Sequence, residues 1–226
     1  MNHFPRLRCV GDSAILVEFG DMIDPTINAR VVALDRGLTQ APLPGIVSLT
    51  PAYASLMVEY DPLATEPARL LPALERLAKN ASPLQARSRL FEVPVCYDPP
   101  FAPDLEKVAK ASGISPETVI NAHLGSTLRV YMYGFAPGYA YLGGLAPEIR
   151  LPRRTTPVRD VPAGSVIIAG QQCIVTTFLM ATGWWIIGRS PAKLFRPEQE
   201  EPVLFSVGDE VRFVRVGPNA LDPSRV

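Results

Sequence analysis

The stretch from Tyr131 to Leu145, YMYGFAPGYAYLGGL, sets four glycines and one proline among four tyrosines and a phenylalanine. That mixture shapes a pocket: glycine lets backbone approach a ligand, proline stiffens a turn, and aromatic rings supply flat walls with a hydroxyl at the rim. Six residues further on, LPRRTTPVRDVPAGSVIIAG (Leu151 to Gly170) brings Arg153 and Arg154 beside Thr155 and Thr156, with Arg159 and Ser165 behind them. Paired guanidinium forks backed by hydroxyl donors suit an anion such as a carboxylate or phosphate. The plain alternative is a solvated loop. His123, just upstream of the aromatic segment, is a candidate acid, base or donor because imidazole titrates near neutrality. Its own alternative is a histidine at a helix C-terminus complementing the helix dipole. A nucleophile and base pair of Cys173 with His123 is disfavoured, because Cys173 lies in the apolar run CIVTTF, where a thiol behaves as a small hydrophobe. Gly138 to Gly143 is followed by Gly144-Leu145 rather than Lys-Ser, so it is not a phosphate loop of the Walker type. Two distant histidines make no metal triad.

The elements that must hold these residues follow from periodicity and turn chemistry. Arg6 to Cys9 and Ala14 to Glu18 read as a hairpin around Gly11-Asp12. Asp24 caps a helix with Pro25 in its first turn and Ile27, Val31, Leu34 and Leu38 as its buried stripe. A strand pair is expected within Gly45 to Tyr60. A second helix then opens at Pro67, with Leu70, Leu71, Leu74, Leu77 and Ala78 as its stripe. The order ββαββα is a compact α+β unit. NASPLQARSR (Asn80 to Arg89) loses periodicity and marks a boundary. Beyond it, LFEVPVCY reads as a strand, followed by helices from Asp104 to Ser112 and from Ser115-Pro116 through Leu124, ending at Gly113 and Gly125. Short strands are expected at Leu128 to Met132, Gly164 to Ala169, Ile174 to Phe178, Trp184 to Gly188, Pro202 to Phe205 and Glu210 to Val216. Many short strands between dense turn signals argue for a barrel or sandwich rather than a parallel sheet.

With 226 residues and 47% hydrophobic content, the chain can bury a sizeable core. Basic and acidic residues balance at 22 each, which argues against a nucleic-acid partner. Three widely spaced cysteines without a CxxC motif encode neither a disulfide framework nor a zinc site and point to a reducing compartment. No leader-like run opens the chain, and no apolar run reaches membrane-span length, so a soluble cytoplasmic protein with no membrane association is expected.

Six segments in order, GDSAILVEFG (Gly11 to Gly20), VPVCYD (Val93 to Asp98), GFAPGYAYLGGL (Gly134 to Leu145), PRRTTP (Pro152 to Pro157), VPAGSVIIAG (Val161 to Gly170) and GWWIIGRSPAKLF (Gly183 to Phe195), resemble the allophanate-hydrolase-subunit-1 family. That family includes the B subunits of 5-oxoprolinase, the sporulation histidine-kinase inhibitors and one half of the carboxyltransferase region of urea carboxylase. The resemblance implies an α+β protein: a small N-terminal α+β domain (residues 1–85) followed by a C-terminal cyclophilin-like β-barrel (residues 86–226). It implies a component of an ATP-dependent 5-oxoprolinase, opening 5-oxoproline to glutamate and inactive alone. The expected partner is an allophanate-hydrolase-subunit-2 protein of the C type in 5-oxoprolinase, joined in bacteria by a protein of the A type, with ATP bound by the assembled complex. Carried onto this chain, Arg153 and Arg154 become anion clamps and His123 a proton donor or orienter. Phe135, Pro137, Gly138, Tyr141 and Gln172 become substrate-binding positions, and no metal is implied. Two other readings share the motifs. One is half of a biotin-dependent urea or amide carboxyltransferase, whose biotin attachment signature would have to come from another chain. The other is a histidine-kinase inhibitor that docks without chemistry. Between Gln172 and Trp184 the chain departs from the usual family pattern, with Ile174 in place of a glycine and Ala181-Thr182 in place of a Pro-Gly turn. Val158 stands where many relatives carry arginine.

Overall fold

The computed structural model describes residues 4–82 and 88–221. The chain divides into two compact units, Met1–Arg87 and Ser88–Val226; the expected boundary between residues 85 and 86 lies outside the described residues.

In the first unit, β1 (Arg6–Val10) and β2 (Ala14–Glu18) form an antiparallel hairpin. Helix α1 (Pro25–Gln40) follows. It starts where the Asp24 carboxylate accepts the N–H groups of Thr26 and Ile27 at 2.8 and 2.9 Å, a cap that typically stabilises by about 1 kcal/mol. β3 (Ile46–Pro51), β4 (Ser55–Tyr60) and α2 (Pro67–Asn80) complete the ββαββα order, with the sheet arranged β1-β2-β4-β3. Alternation on the strands sends Ile15, Val17, Leu56 and Val58 to one face, where Val31, Leu34 and Leu38 of α1 and Leu70, Leu74 and Ala78 of α2 meet them. Leu71 and Leu77, expected in the α2 stripe, are only partly buried at its margin.

The second unit is built on β5 (Leu90–Val95), α3 (Leu105–Ser112), α4 (Pro116–Gly125), β6 (Leu128–Tyr133), β7 (Ala140–Gly143), β8 (Val158–Val161), β9 (Ser165–Ala169), β10 (Gln172–Val175), β11 (Met180–Thr182), β12 (Trp185–Arg189) and β13 (Glu210–Arg215). Seven strands run β12-β9-β10-β7-β6-β13-β5, antiparallel except for the parallel pair β13 and β5. Cys96, directly after β5, and Arg189, the end of β12, exchange backbone hydrogen bonds of 2.8 and 2.9 Å. The two edges of the sheet therefore meet, giving a nearly closed barrel and removing the liability of free strand edges. The fold is α+β, as the sequence implied.

Strands β9, β10 and β12 are buried on both faces. Val166, Ile168, Cys173, Val175 and Ile187 join the large core with α3 and α4, while Ile167, Ala169, Ile174 and Ile186 join a smaller cluster with Tyr139 and Trp184. Local chemistry fixes the registers. Gly170, at φ +55, takes the left-handed turn position that lets β9 and β10 pair from Ala169 and Gln172, so β10 begins two residues earlier than expected. Gly125 lies inside α4 rather than ending it, with Ser126 as the cap. β7, β8 and β11 were not expected, being short and rich in glycine, arginine or alanine. The expected strand Pro202 to Phe205 reduces to one isolated bridge between Val203 and Phe195, consistent with Pro202 lacking a ladder donor. Among the described residues no helix is long and apolar enough to cross a membrane.

Candidate functional site

The aromatic-glycine segment starts on the end of β6 (Tyr131 to Tyr133), loops from Gly134 to Tyr139 and becomes strand β7 from Ala140. Tyr141 on β7, Tyr139 just before it, Phe135 in the loop, Arg153, Ala181 and Thr182 on β11, and Gly183 and Trp184 just after it line a cavity of about 160 Å³. The rings form a chain: Phe135 to Tyr139 at 5.4 Å between centroids, Tyr139 to Tyr141 at 5.8 Å, Tyr141 to Trp184 at 6.1 Å. The guanidinium of Arg153 lies over the Trp184 ring, 5.6 Å from its centroid, and supplies the positive charge of the cavity. Burial raises the hydroxyls of Tyr139 and Tyr141 above the ordinary phenol range, against the opposing pull of Arg153. At neutral pH both stay protonated and act as donors.

The mouth of the cavity carries backbone strain. Ala136 N–H bonds the Gly134 carbonyl at 2.9 Å around Phe135, whose φ is +70, a γ-turn conformation that a bulky residue rarely adopts. The turn leaves Phe135 77% exposed. Gly138, also at φ +70, packs so closely that a Cβ there would stand 2.5 Å from the Cβ of Phe195. The Thr177 hydroxyl donates to the carbonyl of exposed Pro137 at 2.9 Å and ties this loop to the one before β11.

Arg153 and Arg154 do not act together. In extended backbone, consecutive side chains leave on opposite sides. The segment is laced to the start of β12 and the link before it by Arg154 N–H to the Gly183 carbonyl at 2.7 Å and Trp185 Nε1–H to the Pro152 carbonyl at 2.8 Å. Arg153 therefore turns to Trp184 and the cavity, whereas Arg154 turns to Trp185, 5.1 Å away, and to Asp104, with Nη1 2.6 Å from Oδ1. Asp104 is buried and holds two further partners, Lys107 Nζ at 2.9 Å and the Ile186 N–H at 3.1 Å. Burial pushes this carboxyl up, but the bonds from Lys107, Ile186 and Arg154 outweigh it and hold it below the ordinary carboxylate range. Asp104 occupies the N-cap position of α3 without capping it.

His123 is not brought to the cavity either. It is fully buried in the large core, stacked on Phe213 at 4.5 Å. Its Nδ1 lies 2.6 Å from the Tyr97 hydroxyl and its Nε2 3.4 Å from the Cys173 thiol. Burial pulls His123 down to about 3 and pushes both Tyr97 and Cys173 up, so all three are neutral at physiological pH. A base needs a reachable proton and a nucleophile needs a thiolate; this line offers neither. Gln172 pairs with Gly143 and Ala169 in the barrel wall and does not line the cavity.

Of the expected site residues, then, the cavity gathers Arg153, Phe135 and Tyr141, with Pro137 and Gly138 shaping the adjoining loop. Tyr139, Thr182, Gly183 and Trp184 were missed. Tyr139 was visible in the aromatic segment, and Trp184 in the quoted GWW motif, but nothing in sequence spacing says that the two segments face each other. Among the described residues no group of three or more His, Cys, Asp or Glu could hold a metal ion.

Residues 5–205 match the family described as carboxyltransferase domain, subdomain C and D. The chain belongs to that family. It is 41% identical to the 5-oxoprolinase B subunit of Bacillus subtilis over 92% of this chain and 91% of that protein. To the 5-oxoprolinase B subunit of Escherichia coli O157:H7 it is 35% identical, over 92% and 96%. The crystal structure of TTHA0988 superposes with a TM-score of 0.79 at 36% identity, covering 93% of this chain but only 40% of the TTHA0988 chain.

Proposed function

From membership in that family and from the geometry of the cavity, we propose that the protein is the B-type component of an ATP-dependent 5-oxoprolinase, opening 5-oxoproline to glutamate in a multi-protein complex. The observation that carries the reading is the joining of stacked aromatic walls to a single guanidinium in a small cavity. A five-membered lactam bearing a carboxylate has a flat face for Tyr139, Tyr141 and Trp184 and one negative charge for Arg153. The Tyr139 hydroxyl, held protonated, suits donation to the ring oxygen or the carboxylate.

A lactam carbonyl is poorly electrophilic, and a phosphoryl group on its oxygen makes ring opening feasible. ATP supplies that group. This chain's cavity carries one cation and no phosphate loop, so ATP is held by the assembled complex rather than by this cavity alone. Tyrosine, arginine, threonine and tryptophan side chains line it with no carboxylate or imidazole to activate water. The missing base belongs to a partner. Phe135, Phe178 and Leu179 are 77, 41 and 67% exposed, and Phe135 stands at the mouth. Such apolar side chains suit a C-type 5-oxoprolinase component that closes over the site. The longer TTHA0988 chain, of which this chain matches 40%, is consistent with a second module beside this one.

The test is co-expression with the C-type and A-type 5-oxoprolinase components, followed by assay of 5-oxoproline-dependent ATP hydrolysis and glutamate release. Turnover by the complex and none by the isolated chain is expected. In the complex, Arg153→Ala lowers kcat/KM about 100-fold, roughly 3 kcal/mol of lost charge pairing. Unchanged kcat/KM in that variant would sink the cavity assignment.

A further inference from the structure

The GRSPAK part of the GWWIIGRSPAKLF motif does not line the aromatic cavity. It leads out of β12 and lines a second, larger cavity of about 450 Å³, with Phe101, Arg189, Ser190, Pro191, Lys193 and Leu221 among its walls. Two of these are cations, and neither Arg189 nor Lys193 has a carboxylate within ion-pair distance among the described residues. Arg189 is partly buried, and one of its donors is used: Nη2–H bonds the Ala163 carbonyl at 3.1 Å. Burial lowers its hold on the proton, and no acid among the described residues offsets it. An uncompensated, partly desolvated guanidinium is costly unless an anion meets it. Ser190 is buried, and its Oγ accepts the Ala192 N–H at 3.1 Å, which leaves its own proton to donate.

A neighbouring cleft of about 220 Å³ shares Lys193 and adds Arg89 and Arg196, but it also contains Glu201. There Arg89 is already bound to Asp209 at 2.8 Å. Among the described residues the Arg189 cavity has two cations, no acidic wall residue, and apolar surface from Phe101, Pro191 and Leu221. From this we infer that the Arg189 cavity binds a phosphate monoester, its dianionic phosphate between Arg189 and Lys193 and its organic part against Phe101. Two positive charges match a dianion, which a phosphate monoester is near neutral pH and a simple carboxylate is not.

The inference does not depend on the reading of the aromatic cavity. The test is calorimetric titration of the full chain with phenyl phosphate, adenosine monophosphate and benzoate. Saturable binding of phenyl phosphate, or of adenosine monophosphate if the phosphate belongs to a nucleotide, is expected. Binding should weaken about tenfold in Lys193→Met, whose side chain is exposed and whose loss should not disturb folding. Arg153→Ala should leave this binding unchanged. The inference is overturned if neither phosphate ester binds, if benzoate binds as tightly as phenyl phosphate, or if Arg153→Ala rather than Lys193→Met abolishes binding, since the ligand then sits in the aromatic cavity.

Discussion

Cys173 and Ile174 are neighbours on β10, yet they face two different worlds. Cys173 meets His123 and Tyr97 in the large core, and Ile174 joins the cluster that backs Tyr139 and Trp184 beside the aromatic cavity. Both regions gather aromatic rings around one nitrogen cation or potential cation. They differ in access to water. At the cavity, Arg153 keeps its charge where an entering ligand can meet it. In the core, burial strips His123 of its proton affinity and makes a chemically capable trio into a packed polar line. Residue type therefore nominates chemistry, and solvation decides whether it is delivered.

The largest effect that tests this contrast is on stability. His123→Ala removes the stacking partner of Phe213 and orphans the Tyr97 hydroxyl, so unfolding free energy should fall by about 3–5 kcal/mol in urea titrations. A cost below about 1 kcal/mol would mean the line is not a packing element. Next, Arg154→Met leaves the buried Asp104 carboxylate with only Lys107 and a backbone donor, a loss of about 3 kcal/mol. Arg153→Met should change stability by less than about 0.5 kcal/mol. Equal costs for the two arginines would erase the division between them.

The third prediction uses pH. His123 titrates at about 3 when folded, below its ordinary value of 6.5, so the unfolded chain binds the proton first. Its contribution to stability is whole above pH 6.5 and is lost as pH falls from there toward 3, with a slope reaching about 1.4 kcal/mol per pH unit. Comparing wild type with His123→Ala across that range isolates the histidine; parallel curves would contradict its buried, neutral state. The smallest effect is at the cavity mouth. Phe135→Gly relieves the positive φ and should raise stability by roughly 0.5 kcal/mol, partly offset by unfolded-state entropy, while weakening assembly with the partner. Thermal melts and co-purification yield measure the two sides, and a loss of stability would show that the strained turn is held by Phe135 itself.

Much of the fold was legible because local signals agreed with one another. Asp24-Pro25, Gly113 and the alternating strands of the first unit each specify their element through contacts within a few residues. The barrel was harder to read. β7, β8 and β11 are stabilised by partners far along the chain, and glycine-rich or arginine-bearing segments carry little intrinsic strand preference. Asp104 read as the start of a helix and became the anchor of Arg154, because the N–H of Ile186 comes to it from a distant strand.

By itself the sequence determined the family, the α+β class, the aromatic segment as cavity wall and the presence of an arginine beside it. Those are properties of residue type and short-range order. Only the tertiary structure decided that Arg153 and Arg154 part company, that His123 is sealed in the core, that Trp184 completes the cavity, and that Arg189 and Lys193 share a second one. Each of these depends on which face of a strand meets water, and that is set when the two edges of the sheet come together at Cys96 and Arg189.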